Sequence, residues 1–297
     1  MRILHVDTGA EMRGGQWQVI YLLEGLRERG VENMLLARKG SPLQQEARRH
    51  RFPVEPAGLF AIHQLSAGAA LVHAHTGRAH TLAAVAARAP VVVSRRVAFP
   101  LQRGPLSAWK YRRAARYIAI SNAARLRLLE AGVADSQIMI VHDGVPELPL
   151  GSRDGAIVAP YSGDPRKGNA LVREAARIAG VSVLFSRDLL ADLSTAQALV
   201  YITDEEGLGS AALLAMSAGV PVVASRVGGL CEVIEHNSSG VLTENTPERI
   251  ASAIRRLVDE PVLAGRLGQA AAARARREFT VERMVAGTLA VYHEVAP

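Results

Sequence analysis

Along the chain, short apolar runs alternate with longer stretches in which apolar residues recur every three or four positions. That pattern predicts buried strands alternating with helices. Residues 2–7 form the first apolar run, which empties into a polar loop over 8–15. Val19, Leu22, Leu23 and Leu26 then fall at helical spacing and predict a helix over 16–29, closed by Gly30. Further strands are predicted at 32–37, 71–74, 90–94, 117–121 and 138–141, with helices at 109–116 and 122–131. Residues 146–155 are rich in Pro and Gly, break the pattern and read as an interdomain linker. Beyond them the alternation resumes. Strands are predicted at 157–161, 181–185, 198–202, 221–224 and 241–243, and helices at 169–179, 189–195, 211–218, 247–259, 261–278 and 280–295. The fold class is therefore α/β, with helices packed on sheets.

The 297 residues suffice for two modest α/β domains or one large one. Cys231 is the only cysteine, which excludes an intrachain disulfide and a cysteine-based zinc site. No apolar run approaches membrane-spanning length, and the N-terminal run is too short for a signal sequence, so a cytoplasmic location is expected. The net charge is +7 with a sequence pI near 10.0. Nucleic acid, an anionic membrane face and anionic substrates all suit such a charge, as does a solvated arginine-rich surface. No helix-turn-helix, zinc-finger or RNA-binding signature favours nucleic acid. The basic aromatic stretch WKYRRAAR at 109–116 is compatible with peripheral contact with anionic lipid.

Chemistry concentrates in YITDEEGLGSAALLAMSAGVPVVASRV, residues 201–227. A strand hands over to a helix through Glu206, Gly207, Leu208, Gly209 and Ser210. The start of that helix leaves N–H groups without intrahelical partners and carries partial positive charge, which suits a phosphate or diphosphate. Ionised carboxylates just before it accept hydrogen bonds only, which suits hydroxyls. Glycines and acids at strand–helix junctions are also ordinary architecture. A second candidate is the loop SGDPRKG, 162–168, where Arg166 and Lys167 precede a helix. In the first half, Gly14 and Gly15 open a helix at the place where α/β sheets bind ligands. His73, His75 and His80 follow or end a strand, but no carboxylate sits at ligand spacing and H-E-x-x-H is absent, so no metal is expected.

EGLGSAALLAMSAGVPVVAS, residues 206–225, resembles the EGFGxxxLEAMAxGxPVVAS segment of the retaining family 4 glycosyltransferases (glycosyl transferases group 1), in one register without a gap. The resemblance covers nearly the whole chain and implies the GT-B fold: two Rossmann-like doubly wound domains, 1–148 and 149–280, facing each other across a cleft. A last helix, 281–297, would cross back to the first domain. It implies that Glu206 is the acid near the transferred sugar; the family's second acid falls on Leu214. Lys167 and Gly168 match the lysine–glycine pair that holds the donor diphosphate, while Ser162 stands where an arginine is expected and Arg166 lies nearby. Gly207, Leu208, Gly209 and Ser210 would meet the diphosphate through their N–H groups. Gly14 and Gly15 match the pair that lies against donor and acceptor, and LVHAHTG resembles the HxH segment that places His75 on the acceptor side. Arg95 and Arg96 occupy the region that carries a histidine in many relatives, so no catalytic histidine is assigned, and Arg96 is expected to clamp an anionic group. The second domain is compact, short of the family by roughly one βα unit of about thirty residues.

The resemblance implies an enzyme: a metal-independent retaining transferase. It would use a nucleotide sugar as substrate, need no cofactor, and act on a saccharide or lipid-linked acceptor in envelope polysaccharide or lipid-linked saccharide synthesis. An inactive nucleotide-sugar-binding or scaffold relative and a GT-B-like nucleotide-sugar epimerase are the alternatives.

Overall fold

The computed structural model describes residues 1–99 and 104–296; Pro297, the end of the expected last segment, lies outside the described residues. Backbone contacts divide the chain into two compact units, one made of Met1–Gly144 and the chain from Val281 onward, the other of Val145–Thr280.

The first unit runs β1 (Arg2–Asp7), α1 (Gly14–Glu28), β2 (Glu32–Ala37), α2 (Pro42–Arg49), β3 (Val54–Pro56), α3 (Leu59–Ser66), β4 (Leu71–Ala74), α4 (Gly77–Ala86), β5 (Val91–Arg95), α5 (Pro105–Arg112), β6 (Arg116–Ala119), α6 (Asn122–Glu130) and β7 (Ile138–Ile140). Its seven strands are parallel in the order β3-β2-β1-β4-β5-β6-β7. Strands covered by helices on both faces carry continuous apolar runs, and β4 is buried at every position. The order reverses between β1 and β4, where His5 pairs in register with His73. The apolar pattern gave no element between 38 and 70, yet α2, β3 and α3 lie there. α2 is started by Ser41, whose hydroxyl accepts from the Gln44 N–H (3.2 Å), and by Pro42. The basic run expected as one helix over 109–116 is divided: α5 ends at Arg112 and Arg116 opens β6, because its pairing with Val92 takes it into the sheet.

The second unit runs β8 (Ile157–Pro160), α7 (Asn169–Ala179), β9 (Val183–Ser186), α8 (Leu189–Asp192), β10 (Ala198–Tyr201), α9 (Ser210–Ser217), β11 (Val222–Ser225), α10 (Leu230–Val233), β12 (Val241–Thr243), α11 (Pro247–Asp259) and α12 (Pro261–Glu278). Its five parallel strands are ordered β12-β11-β10-β8-β9, so the reversal falls between β8 and β10. Ile157, Val200 and Val223 from the sheet meet Val172 of α7 and Ile250, Ile254 and Leu257 of α11 in its core.

Residues 146–155 are not a free linker. The N–H groups of Gly151, Ser152 and Gly155 donate to Ala218 O, Ser194 O and Thr195 O at 2.8, 3.0 and 2.8 Å, and the Ser217 hydroxyl donates to Pro146 O at 2.7 Å. A Cβ on Gly155 would stand 2.8 Å from Thr195 O, so the stretch is a strap laid closely on the second unit.

The chain then returns to the first unit as α13 (Val281–Val295). Gly25 lets α13 approach α1: a Cβ there would stand 2.6 Å from Val285 Cγ2. Met284, Val285, Val291 and Tyr292 close one face of the core with Leu22, Leu26 and Leu71. Burial of side chains of this size stabilises by roughly 1.5–3 kcal/mol each.

Candidate functional site

Ligands of open parallel sheets bind beyond the C-terminal ends of strands, where the strand order reverses. Each unit carries sequence-predicted residues at that place.

In the second unit, β8 leads into the Lys167 loop. The Asp164 carboxylate caps a short 3₁₀ turn over Pro165–Lys167 by accepting from the Arg166 N–H (3.1 Å). Gly168 follows with φ +64°, and a Cβ there would stand 2.6 Å from Ile202 Cγ2 and 2.8 Å from Ile202 O. The missing side chain lets the loop lie directly on the end of β10. Asp204 N–H and the Thr203 hydroxyl then donate to Arg166 O, at 2.9 and 3.3 Å.

This brings Lys167 to Glu206. Lys167 Nζ donates to Glu206 Oε2 at 2.9 Å, the Tyr201 hydroxyl donates to the same oxygen, and the Gly207 N–H donates to Oε1 at 3.0 Å. Burial first, and then the Glu206 carboxylate, push the Tyr201 hydroxyl well above the usual phenol range, so it stays a donor. The Lys167 and Glu206 side chains remain 32% and 15% exposed.

Behind Glu206 stands the turn after β11. Gly229 N–H donates to Glu206 O (3.1 Å), and a Cβ on Gly229 would lie 2.1 Å from Gly207 O. Gly228 has φ +47°, and its Cβ would lie 2.3 Å from Glu206 O. The two glycines therefore set the position of the 206–208 backbone by direct contact. α9 begins immediately after, at Ser210, with Gly209 at φ +110° and no side chain capping its first turn. A cation, an uncapped helix start and a carboxylate acceptor thus share one end of one sheet, an arrangement suited to an anion carrying hydroxyls.

Arg166 does not join them through its side chain. Its guanidinium grips Asp164 through Nε and Nη2 (3.1 and 2.7 Å) and is largely exposed. Leu214 lies within α9 at a half-buried position. Tyr201 was overlooked in the sequence because an aromatic at the end of a strand reads as core.

The site of the first unit is assembled differently. Gly14 and Gly15 open α1. Asp7, at the end of β1, accepts from the Gly9 N–H (2.7 Å) and from Gln16 Nε2 (3.2 Å), and burial raises its pKa. Thr8 and Thr76 join the β1 and β4 loops through their hydroxyls at 2.8 Å. Arg96 reaches the same place: a Cβ on Gly15 would stand 3.5 Å from Arg96 Cδ. Arg96 is committed to a buried ion pair with Asp143, so the expected anion clamp already holds a carboxylate of this chain. His75 lies within the electrostatic reach of Arg96. Gly15 therefore packs beside Arg96, and His75 feels the charge of the same guanidinium.

The sequence missed His5, which completes a cluster with His73 and His75. Ring nitrogens of the three lie within 4.8 Å of one another, all buried. His73 Nδ1 meets the Tyr292 hydroxyl at 2.6 Å and its Nε2 meets the Ser94 hydroxyl at 2.8 Å. Burial lowers His5 to about 4 and holds His73 and His75 well below the usual range, so all three are neutral near pH 7. Ring spacing along the sequence could not show this, since His5 and His73 meet only through strand pairing. Among the described residues, no helix is long and apolar enough to cross a membrane.

The family model of Glycosyltransferase Family 4 matches residues 12–147, and that of Glycosyl transferases group 1 matches residues 173–274. D-inositol 3-phosphate glycosyltransferase of Streptomyces griseus is 34% identical over 148 residues, covering 46% of this chain and 31% of that protein. Glycogen synthase of Mycobacterium tuberculosis is 35% identical over 106 residues, covering 35% of this chain and 26% of that protein. The matches thus span about a quarter to a third of these curated relatives. Among solved structures, Anabaena HepE in complex with UDP-glucose superimposes with a TM-score of 0.84 at 19% identity, covering 98% of this chain and 99% of that one. The compact second unit is therefore not peculiar to this chain.

Proposed function

This chain belongs to the family 4 glycosyltransferases (glycosyl transferases group 1) and has their GT-B fold, and on that premise we propose that it moves a sugar from a nucleotide-sugar donor to an acceptor hydroxyl with retention of anomeric configuration. The observation that carries this is the Lys167–Glu206 pair at the uncapped start of α9. The Lys167 ammonium and the Glu206 carboxylate satisfy each other in the structure. A donor diphosphate draws the Lys167 ammonium to itself and settles against the N–H groups of the first turn of α9. That frees lone pairs on Glu206 Oε2 for hydroxyls of the donor sugar, while Tyr201 and the Gly207 N–H keep the carboxylate in place.

In the transfer, the bond from the anomeric carbon to the diphosphate oxygen breaks. The acceptor oxygen bonds to that carbon on the same face, and its proton passes to the departing phosphate. Lys167 and the α9 dipole stabilise the negative charge that grows on the leaving group. The proposed transfer uses no metal or cofactor. HepE was solved with UDP and UDP-glucose, which makes a uridine diphosphate sugar the first donor to try. In this reading the acceptor would bind on the first unit, beside Gly14, Gly15, His75 and Arg96. A saccharide or lipid-linked saccharide of the cell envelope, met from the cytoplasmic side by a basic protein, is the acceptor class.

The test is a thermal-shift series with UDP, GDP, ADP and their sugars, since a ligand of the native state raises the melting temperature. One nucleotide family is expected to shift the protein. Lys167→Ala should weaken its binding about 10- to 100-fold, as loss of a charge-assisted hydrogen bond of roughly 1.5–3 kcal/mol implies. No shift with any nucleotide would remove the donor site. Binding without turnover would leave a nucleotide-sugar-binding relative.

A further inference from the structure

The first unit holds a chain of hydrogen bonds whose direction is set by the groups at its ends. Asn33 Nδ2 donates to Val31 O at 3.0 Å, which turns Oδ1 towards His5 Nε2, also at 3.0 Å. A carboxamide oxygen only accepts, so His5 carries its proton on Nε2. His5 is neutral near pH 7 and has no second proton. Its Nδ1, 3.1 Å from His75 Nε2, is therefore a lone pair, and His75 donates to it. The two ring planes are within 11° of parallel and their centroids are 5.3 Å apart, a separation that an in-line N–H···N bond of 3.1 Å gives. His75 is neutral as well, so its Nδ1 bears no proton. That Nδ1 is buried and, among the described residues, has no hydrogen-bond partner. The Nε of Arg96 is likewise buried and without one.

We propose that Asn33 and His5 are positioning residues that lock His75 in the Nε2–H tautomer, so that its bare Nδ1 accepts a hydrogen bond from a substrate hydroxyl. The unpartnered Arg96 Nε–H supplies the complementary donor, and a hydroxyl is the group that both donates and accepts. Buried polar atoms without partners are rare, and their satisfaction by a ligand favours binding. His73, its ring centroid 4.0 Å from that of His75 and pinned by Tyr292 and Ser94, holds the His75 ring in plane. The cluster sits where the strand order reverses between β1 and β4, the ligand position of such sheets. A metal ion is the competing occupant of three imidazoles. The in-line His5–His75 bond, the two occupied nitrogens of His73 and the nearby Arg96 guanidinium all weigh against a cation there.

That the hydroxyl belongs to the glycosyl acceptor rests on the transferase assignment; the tautomer does not. Two-bond ¹H–¹⁵N spectra of the whole protein labelled at histidine nitrogens read each tautomer directly. His75 is expected as Nε2–H at pH 7, and as a mixture in Asn33→Leu with unchanged circular dichroism. A His75 proton on Nδ1 in the wild type overturns the proposal, as does a tautomer indifferent to Asn33→Leu. Stoichiometric Zn²⁺ uptake lost in His5→Ala overturns it too. The wild-type spectrum decides the tautomer even where Asn33→Leu does not fold. In transfer assays with glucose as the probe acceptor, Asn33→Leu should lower kcat/KM for acceptor about tenfold and leave the donor KM unchanged. An equal loss for donor and acceptor would mean a merely structural role. If no nucleotide binds at all, the transferase assignment fails while the tautomer result stands.

Discussion

The two units place their candidate residues at the same topological point, the end of a parallel sheet where the strand order reverses, yet with opposite electrostatics. In the second unit an ammonium, a carboxylate and an uncapped helix start remain partly open to solvent. In the first, three imidazoles are buried and neutral, and the Arg96 guanidinium is already paired with Asp143. A diphosphate brings charge that is met by charge and N–H dipoles, and the second unit offers both, with its cation partly open to solvent. A hydroxyl is neutral and is recognised by neutral, fixed hydrogen-bonding atoms, which is what the first unit offers. Sheet topology selects where a ligand goes; under the proposed function, the residues at the strand ends would decide which ligand suits each unit.

Acid should separate the two units most strongly. In the unfolded chain an imidazole takes up a proton below an ordinary 6.5, whereas His5 resists until about 4 and buried His80 until about 3. His73 and His75 are displaced in the same direction. Between 6.5 and 4 the unfolded state binds more protons, so this stability is complete above 6.5 and is lost as the pH falls. At pH 5 His5 and His80 each cost about 2 kcal/mol. The second unit contains a single histidine, His236. Both tryptophans, Trp17 and Trp109, belong to the first unit, so their fluorescence follows that unit alone. Denaturant melts at pH 5 should show the fluorescence transition well before the loss of ellipticity, and the two should draw together at pH 7.5. Coincident transitions at pH 5 would break the electrostatic contrast.

Glycine sharpens the same contrast at a smaller scale. A Cβ on Gly229 would meet Gly207 O at 2.1 Å and Leu208 Cα at 2.6 Å, so Gly229→Ala must displace the turn that carries Glu206. The expected cost is about 1–3 kcal/mol together with the nucleotide-induced thermal shift. Gly15→Ala, by comparison, makes only an ordinary 3.5 Å contact with Arg96 Cδ and should change stability by less than about 0.5 kcal/mol. Urea melts of the two variants decide this. Equal costs would mean that backbone contact shapes both sites alike.

The contrast also explains what the sequence made legible. The turn of the second unit is one contiguous segment, so Glu206, Gly207, Gly209 and Ser210 could be read together from residues 206–225. The site of the first unit is built from positions 5, 33, 75, 96 and 143, brought together by parallel strands that pair across long separations. His75 and Arg96 stood out because each follows a strand; His5 and Asn33 lie within strands and looked like core. Strand and helix alternation was plain where apolar runs were continuous. It was lost over residues 38–70, where α2 carries mostly polar residues and β3 is three residues long. The stretch over 146–155 follows directly on the unit boundary at Gly144 and is laid closely on the second unit; Pro and Gly mark a free linker and a closely laid strap equally well. What distinguishes them is where the N–H groups go, and composition does not record that.

Arg166 gives the smallest expected effect and tests the second unit most finely. The sequence places it beside Lys167, where it could take the role of the arginine replaced by Ser162. In the structure its guanidinium is held by Asp164, and it serves the site through its carbonyl, which accepts from Asp204 N–H and the Thr203 hydroxyl. Exposed pairs of this kind are worth about 0–1 kcal/mol, and the side chain is 60% exposed. Truncation to Ala keeps the carbonyl. Arg166→Ala should therefore change the Kd for UDP, measured by calorimetry, by less than about twofold, a shift within 0.5 kcal/mol. A tenfold loss would show instead that the guanidinium leaves Asp164 for the diphosphate. The Lys167 loop would then supply two cations to the donor, and Asp164 would be the group that holds the second in reserve.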